Sequence, residues 1–326
     1  MNLKNALKPV AGVLIVALII YFVDVGKVAA AFAQSDPLLI GLAFLLTPVS
    51  MILRFIRWDR IIRLAGMRLS MVANAKIYMF GFFFGTITPS KIGDLLKFRY
   101  LNSEHGINKG TALSMAVLDH VFDLIVVIAV GAAALPIAYN SGSAASVALV
   151  VVLLAVMLYV MFSRRLFRKL SDFFVSKFSI VQRLMGIKGD AKKEGVFESL
   201  YKPFGALRSS PSSFASIFIL SIVIWLSVGL QAQLTFMAMG IRLEFFSMFA
   251  MLCLATLVSL LPISISGLGT REAAMVLLFS MFGVAADKTI AMSLIYFVMC
   301  QISVAVVGGL MYAASVRKNI KEDKSG

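Results

Sequence analysis

The chain has 326 residues, of which 60% are hydrophobic and 14% charged, and its mean hydropathy is +0.94. Soluble domains are about half apolar and a quarter charged, so this composition excludes an ordinary soluble protein. The formal net charge is +15, but the basic residues lie between apolar runs, which indicates anionic lipid headgroups as partners and no nucleic acid. We therefore predict a single polytopic membrane domain over residues 1–326.

The first two apolar runs predict membrane-spanning helices. Val10–Val23 has the shape of a signal peptide, but membrane segments continue along the whole chain, so we expect a retained helix. Leu38–Leu53 predicts a second span, which ends in a basic loop that marks the cytoplasmic side. The charged and aromatic residues of that loop are Arg54, Arg57, Trp58, Asp59, Arg60, Arg63 and Arg68.

A third run, Met71–Thr88, is apolar but short. It is broken by the sequence Thr-Pro-Ser-Lys-Ile-Gly-Asp at positions 88–94, after which Leu95–Leu101 resumes an apolar pattern that carries Lys97 and Arg99. Since these pieces are shorter than the ~20 residues of a full span, the pattern favours a helix interrupted within the membrane.

The middle of the chain predicts two further spans, Leu113–Leu135 and Ala145–Phe162, joined by an uncharged link, Pro136–Ala144. The first of these spans carries Asp119, His120 and Asp123, and the two aspartates share one helix face because they are four residues apart. Residues 163–211 then hold eleven basic and four acidic residues. This loop is predicted to be cytoplasmic and is either an amphipathic helix on the membrane surface or a solvated loop.

The last third contains the second interrupted helix. After a span at Phe214–Phe236, the apolar run Phe245–Leu261 stops at Pro262, and a new helix begins with Thr270 as its predicted N-cap and Arg271 and Glu272 in its first turn. A final span, Ile290–Ala314, leads into a basic tail. A broken helix with an Arg-Glu pair at membrane depth indicates a functional site, because charged residues and open backbone are costly inside a membrane.

The positive-inside rule decides between two topologies. If every apolar run spanned the membrane, Lys91 and the basic loop 163–211 would both lie outside, against the rule. We therefore predict an all-α integral membrane protein with about six transmembrane helices and two oppositely oriented re-entrant helical hairpins, with both termini cytoplasmic. The two breaks share Pro, Gly and an acid that opens a helix, which indicates an inverted repeat with halves at about 1–135 and 213–314. The alternative is two ordinary Pro/Gly kinks.

Four motifs together resemble the lysylphosphatidylglycerol synthase transmembrane family. They are Arg57-Trp58, the Thr88–Asp94 break with Arg99, Asp119-His120 with Asp123, and Gly-Leu-Gly-Thr-Arg-Glu at 267–272. The family pattern carries Glu where this chain has Asp94, and is nearer Glu-Arg where it has Asp119-His120. The resemblance implies movement of lipids, such as aminoacylated phosphatidylglycerol, between leaflets. It also implies a location in the cell membrane of a bacterium or archaeon. It does not imply the synthase activity, because the chain ends at Gly326 without a soluble aminoacyl-transfer domain.

A lipid flippase needs charges that stabilise a headgroup inside the membrane. Helix N-termini and basic side chains suit a phosphate, and acidic side chains suit an amine or a proton. For Lys97 and Arg99 the alternative is snorkelling to the interface. The candidate substrate-binding residues are Lys91, Gly93, Asp94, Lys97, Arg99, Asp119, His120, Asp123, Gly267, Gly269, Thr270, Arg271 and Glu272.

Two other functions stay open at this point. The first alternative to a flippase is a membrane-embedded lipid-modifying transferase, and the second is a docking partner of a separate lipid synthase or glycosyltransferase. We predict no catalytic residue, metal or cofactor, since the sequence has only His105 and His120 and no P-loop, Gly-x-Ser-x-Gly or His-Glu-x-x-His motif. Without an ATP-binding motif, the energy for transport must come from a gradient or from the imbalance of the lipid itself.

Overall fold

The computed structural model describes residues 33–88, 91–139, 159–177, 193–260 and 267–325, and isolated positions between 26 and 30 and between 148 and 156. Every regular element in this part of the chain is a helix, so the all-α class is confirmed. The predicted span Val10–Val23, half of Ala145–Phe162 and the Pro262 stop lie outside the described residues. The helix before the predicted link Pro136–Ala144 continues to Tyr139, so the link begins later than predicted.

Four helices are long and apolar enough to cross a membrane: Pro37–Leu64, Lys109–Ala132, Pro211–Ala238 and Ala286–Ser315. They coincide with four of the six predicted spans, and the protein is a multi-pass membrane protein. Of the other two predicted spans, one lies wholly and the other by half outside the described part of the chain, so the total of six stays a prediction.

The helices fall into two compact units, and some helices contribute residues to both. One unit comprises Met1–Met51, Val72–Asp94 and Leu226–Gly326, and the other comprises Ile52–Met71 and Leu95–Trp225. In chain order the helices are α1 (Pro37–Leu64), α2 (Met71–Thr86), α3 (Lys97–His105), α4 (Lys109–Tyr139), α5 (Arg164–Lys177), α6 (Lys193–Arg208), α7 (Pro211–Ala238), α8 (Phe245–Ser259), α9 (Thr270–Ser280), α10 (Ala286–Phe297) and α11 (Ser303–Ser325).

In the first unit, α9 packs against both α8 and α10. Glu244 caps the start of α8 by accepting hydrogen bonds from the backbone N–H groups of Phe246 (2.9 Å) and Ser247 (2.6 Å), and these bonds hold the pKa of Glu244 below its ordinary value. The Glu244 cap thus fixes the residue at which α8 begins.

Glycines bring α11 close to α2 in the same unit. A Cβ atom on Gly308 would lie 2.6 Å from the carbonyl oxygen of Met79, and one on Gly309 would lie 2.9 Å from the ring of Phe83. One turn further along α11, Tyr312 packs edge-on against Phe84, with ring centroids 5.3 Å apart. Because glycine has no side chain, the backbones of the two helices can lie close together, as is common at helix interfaces in membranes.

A short π-helix, Val298–Ile302, joins α10 to α11. The Met299 carbonyl within it accepts hydrogen bonds from the hydroxyls of Ser303 and, at 3.4 Å, Thr47. Thr47 in turn accepts from the side-chain amide of Gln231 at 2.8 Å. The hydroxyls of Thr47 and Ser303 thus provide hydrogen-bond donors for a backbone carbonyl of the π-helix, whose turn is wider than that of an α-helix.

In the second unit, α4 packs against α3 and α6, and α5 packs against α6. Phe167 on α5 lies against Phe204 on α6, with ring centroids 4.8 Å apart. Residues 164–177 are therefore helical, in agreement with the amphipathic interpretation and against a solvated loop. Part of the apolar side of α5 is covered by α6, while Phe173 stays 53% exposed.

One predicted boundary in this unit is wrong. α1 does not stop at Leu53 but continues to Leu64, so most of the predicted basic loop is helical. The reason is that Arg57 and Trp58 are fully buried, whereas a hydropathy pattern assigns an arginine to the membrane surface. The helix ends before Gly66, which has a positive φ of 81°.

Candidate functional site

The second predicted break lies between α8 and α9. Gly267 and Gly269 have φ values of 78° and 86°, in the left-handed region that favours glycine. The N–H of Gly269 donates to the carboxylate of Glu272 at 2.6 Å. Gly269 is therefore the N-cap, and Thr270, predicted to be the cap, is the first helical residue. Its hydroxyl donates to the Gly267 carbonyl at 3.2 Å.

The first turn of α9 holds a buried ion pair. Arg271 and Glu272 are only 7% and 9% exposed, and the Arg271 Nη2 atom lies 2.7 Å from Glu272 Oε1. Ser293 on α10 accepts from Arg271 Nε at 3.1 Å and donates to Glu272 Oε1 at 2.7 Å. The guanidinium also lies over the ring of Phe297, 5.2 Å from its centroid. The pair is thus electrically neutral and joins α9 to α10.

The first predicted break is a compact turn after α2. The Thr88 hydroxyl donates to the Phe84 carbonyl at 2.9 Å and accepts from the Gly93 N–H at 2.7 Å. A Cβ atom on Gly93 would lie 2.1 Å from the Phe84 oxygen, so only glycine fits. Lys91 has a φ of 56°, a strained value for a residue with a side chain. Asp94 is buried at 7% exposure.

The backbone after this turn differs from the prediction in one respect. A 3₁₀-helix, Ile92–Leu96, precedes α3, so a regular α-helix does not begin directly after Gly93. Such tight turns are frequent at helix N-termini. Pro89 and Ser90 at the break and residues 261–266 at the other break lie outside the described residues.

The two breaks share one apolar cluster. Leu294 and Phe297 on α10 form its buried centre, and Ile87 from the first break and Leu268 from the second pack against it. The cluster therefore relates the two breaks within one compact unit.

The other unit contains a second buried set of charges. Arg57 and Lys97 are both 0% exposed. Arg57 Nε donates to Asp119 Oδ1 at 2.9 Å, and Lys97 Nζ donates to Asp119 Oδ2 at 3.2 Å. The Lys97 ammonium also lies over the Trp58 ring, 4.6 Å from its centroid. Lys97 therefore does not snorkel to the interface, whereas Arg99 is exposed.

Asp123 completes this set of charges. It accepts from Arg57 Nη1 at 2.6 Å, from the indole N–H of Trp225 at 3.0 Å and from Arg54 Nη1 at 3.4 Å. Ser221 accepts a further hydrogen bond from Arg57 at 3.0 Å. His120, between the two aspartates in sequence, is half-buried. Three cations thus face two carboxylates, and each carboxylate contacts at least two of the cations.

Several contacts were not predicted from the sequence. Arg57 was identified only through the family resemblance, although isoleucines on both sides of it indicate burial. Ser221, Trp225, Ser293 and Phe297 lie in apolar runs where no local pattern distinguishes a site residue from a packing residue.

Comparison with known proteins adds independent support. A UPF0104 membrane protein from Methanothermobacter thermautotrophicus is 28% identical over 288 residues, which cover 83% of this chain and 81% of the relative. UPF0104 membrane proteins from Archaeoglobus fulgidus (23% over 284 residues, 82% and 84%) and Pyrococcus horikoshii (21% over 313 residues, 89% and 90%) are also similar. The family described as "Lysylphosphatidylglycerol synthase TM region" matches residues 9–308. The resemblance seen in the four motifs is thereby confirmed, and this multi-pass membrane protein belongs to the lysylphosphatidylglycerol synthase TM region family.

Proposed function

We propose that the protein is a flippase that moves a charged-headgroup lipid between leaflets by alternating exposure of a midplane site at the two breaks. The lipid is of the phospholipid, aminoacyl-phospholipid or polyprenyl-phosphate type. The observation that carries the proposal is the buried Arg271–Glu272 pair at the start of α9. Ionisable residues inside a membrane are costly, and they mark substrate pathways when they occur at interrupted helices.

The start of α9 suits a phosphate chemically. The helix dipole adds about half a positive charge at the start of a helix. Arg271 adds a full charge, which Glu272 neutralises when no lipid is bound. In our proposal the phosphate competes with Glu272 for Arg271, so that the headgroup meets positive charge only after it enters the site.

Helix length supports the re-entrant architecture. α8 has 15 residues and α9 has 11, both fewer than the ~20 needed for a span, and the two pack against each other. α2, with 16 residues, is also short. We include in the proposal the six spans, the opposed hairpins, the inverted repeat and the cytoplasmic termini. Lys97, Arg99, Asp119, His120 and Asp123 remain predicted headgroup contacts.

A liposome assay tests the proposal directly. The protein is reconstituted with fluorescent phospholipids, and a membrane-impermeant quencher reports how fast inner-leaflet lipid becomes accessible. Arg271→Gln and Glu272→Gln are expected to lower the rate at least tenfold, because the first removes the cation that binds the phosphate and each leaves a buried partner charge uncompensated. Arg242→Gln, which neutralises an exposed arginine before α8, is the matched control and is expected to keep the wild-type rate.

Wild-type rates in both site variants, with folding intact, would refute the flippase mechanism. A purified protein that instead forms a new lipid product, lost in the same variants, would identify a transferase. A docking partner would tolerate both substitutions.

A further inference from the structure

The side chain of Gln301 presents a buried acceptor with no visible role. Its Oε1 atom is inaccessible to solvent, and no hydrogen-bond donor among the described residues reaches it. Buried amide oxygens nearly always have a partner, so this one requires an explanation. A buried acceptor without a donor among the described residues is a group to which a ligand donor can bind.

Gln301 lies on the same stretch of helix as the Arg271 contacts. Ser293 and Phe297 are four residues apart on α10 and share one helix face. Both contact Arg271. Gln301 follows Phe297 by four residues, in the π-helix Val298–Ile302.

The apolar neighbours of Gln301 belong to the cluster that touches both breaks. Val298 and Ile302, in the same π-helix, pack against Leu294 and Phe297, as do Ile87 and Leu268. Gln301 therefore belongs to a stretch of helix whose apolar residues contact both breaks.

The π-helix itself does not depend on Gln301. Its freed carbonyl, that of Met299, already accepts from Thr47 and Ser303. Single π-turns inside α-helices often occur at functional sites, and here the turn carries a polar side chain that the helix backbone does not need.

We propose that the Gln301 amide oxygen accepts a hydrogen bond from the lipid headgroup, and that it selects headgroups that carry an N–H or O–H donor in addition to their phosphate. This inference rests on the proposed function: Arg271 and the start of α9 bind the phosphate, and Gln301 binds the donor group. Phosphatidylethanolamine and phosphatidylglycerol offer such a donor, whereas the trimethylated amine of phosphatidylcholine does not.

The test measures two properties of a Gln301 variant, its preference among three phospholipids and its melting temperature without lipid. Gln301→Met keeps nearly the same length and removes the polar amide. The melting temperature is measured by tryptophan fluorescence in detergent, without lipid and with each of the three phospholipids. For the wild type, phosphatidylethanolamine and phosphatidylglycerol are expected to bind about tenfold more tightly than phosphatidylcholine. In Gln301→Met this ratio is expected to fall to about one, while the lipid-free melting temperature stays equal or rises because an unpaired buried oxygen is gone.

Gln233 offers a matched control. Its Oε1 atom is also buried without a donor among the described residues, but its amide nitrogen donates to the Leu243 carbonyl at 2.8 Å. Gln233→Met is expected to lower the melting temperature and to leave the lipid preference unchanged.

Three results overturn the inference: a wild type that does not discriminate among the three lipids, a Gln301→Met variant that keeps the preference, or a lower lipid-free melting temperature in both Gln301→Met and Gln301→Asn. The last result would assign Gln301 a structural role. Failure of the flippase proposal is distinguishable, because a protein that moves no lipid can still show a lipid preference that Gln301→Met abolishes. Conversely, Arg271→Gln can stop lipid movement while Gln301→Met keeps the preference.

Discussion

Asp119 is the shared acceptor for two fully buried cations, Arg57 and Lys97. A buried charge is tolerated only when it is paired and hydrogen-bonded, and here one carboxylate serves both cations. The burial of Lys97 therefore depends on a residue in a different helix.

We expect Asp119→Asn to destabilise the protein by about 3–5 kcal/mol, because it leaves Arg57 and Lys97 without their common countercharge. Thermal unfolding in detergent measures the change. Asp59→Asn is the control, since the Asp59–Arg63 pair is partly exposed, at 23% and 58% of the side chains, and such pairs contribute at most about 1 kcal/mol. Similar losses in the two variants would contradict the paired-charge interpretation.

The sequence singled out Lys97, Asp119 and Asp123 because charged residues are rare in apolar segments. It did not pair them with Arg57, which lies 62 residues from Asp119 in the chain. Hydropathy and charge rules treat each residue separately, so a cation whose burial depends on a distant partner is assigned to the surface. Ser293 escaped notice for a related reason, since a serine in a span indicates a polar contact only once its partner Arg271 is known.

At the level of elements, the turn after α2 depends on the missing side chain of Gly93. We expect Gly93→Ala to disrupt the turn, because the added Cβ atom would lie 2.1 Å from the Phe84 oxygen and 2.7 Å from the Thr88 hydroxyl. The loss should show as reduced lipid movement in the liposome assay and as a lower melting temperature.

Gly41→Ala on α1 is the matched control. A Cβ atom there meets nothing within 4 Å, so the substitution is expected to be neutral or slightly stabilising through the higher helix propensity of alanine. Equal behaviour of the two variants would show that the turn accommodates a side chain.

Helix existence was easier to predict than helix ends. The existence of four spans was predicted correctly, because a long apolar run in a membrane must satisfy its backbone groups within a helix. The ends of α1 and α9 were misplaced, since α1 continues through charges neutralised by tertiary pairing and α9 is capped by the backbone of Gly269 rather than by the Thr270 side chain. Both depend on contacts that composition does not encode.

For the whole molecule, sidedness is the property that the proposed architecture predicts most sharply. Arg60 and Ser103, which flank the first break, should lie on the cytoplasmic side, and Arg242 and Asp287, which flank the second, on the opposite side. All four positions are exposed. Single cysteines are introduced at these positions after Cys253 and Cys300 are replaced, and a membrane-impermeant thiol reagent is applied to intact cells and to inverted vesicles.

The expected pattern is one labelling behaviour within each pair and opposite behaviour between the pairs. If α2 and the segment after it crossed the membrane instead of returning, Arg60 and Ser103 would be labelled from opposite sides. That result would remove the first hairpin and, with it, the inverted repeat.

The close contact between Gly308 and the Met79 carbonyl means that the size of residue 308 sets the distance between α11 and α2. α2 rests there on bare backbone, so any atom added at Gly308 must push α2 away, and the turn at Thr88 lies directly beyond the end of α2. Residues of increasing size at position 308 would therefore displace the first break by graded amounts. The charges at the start of α9 would be untouched, so the geometry of the two breaks can be varied separately from their chemistry.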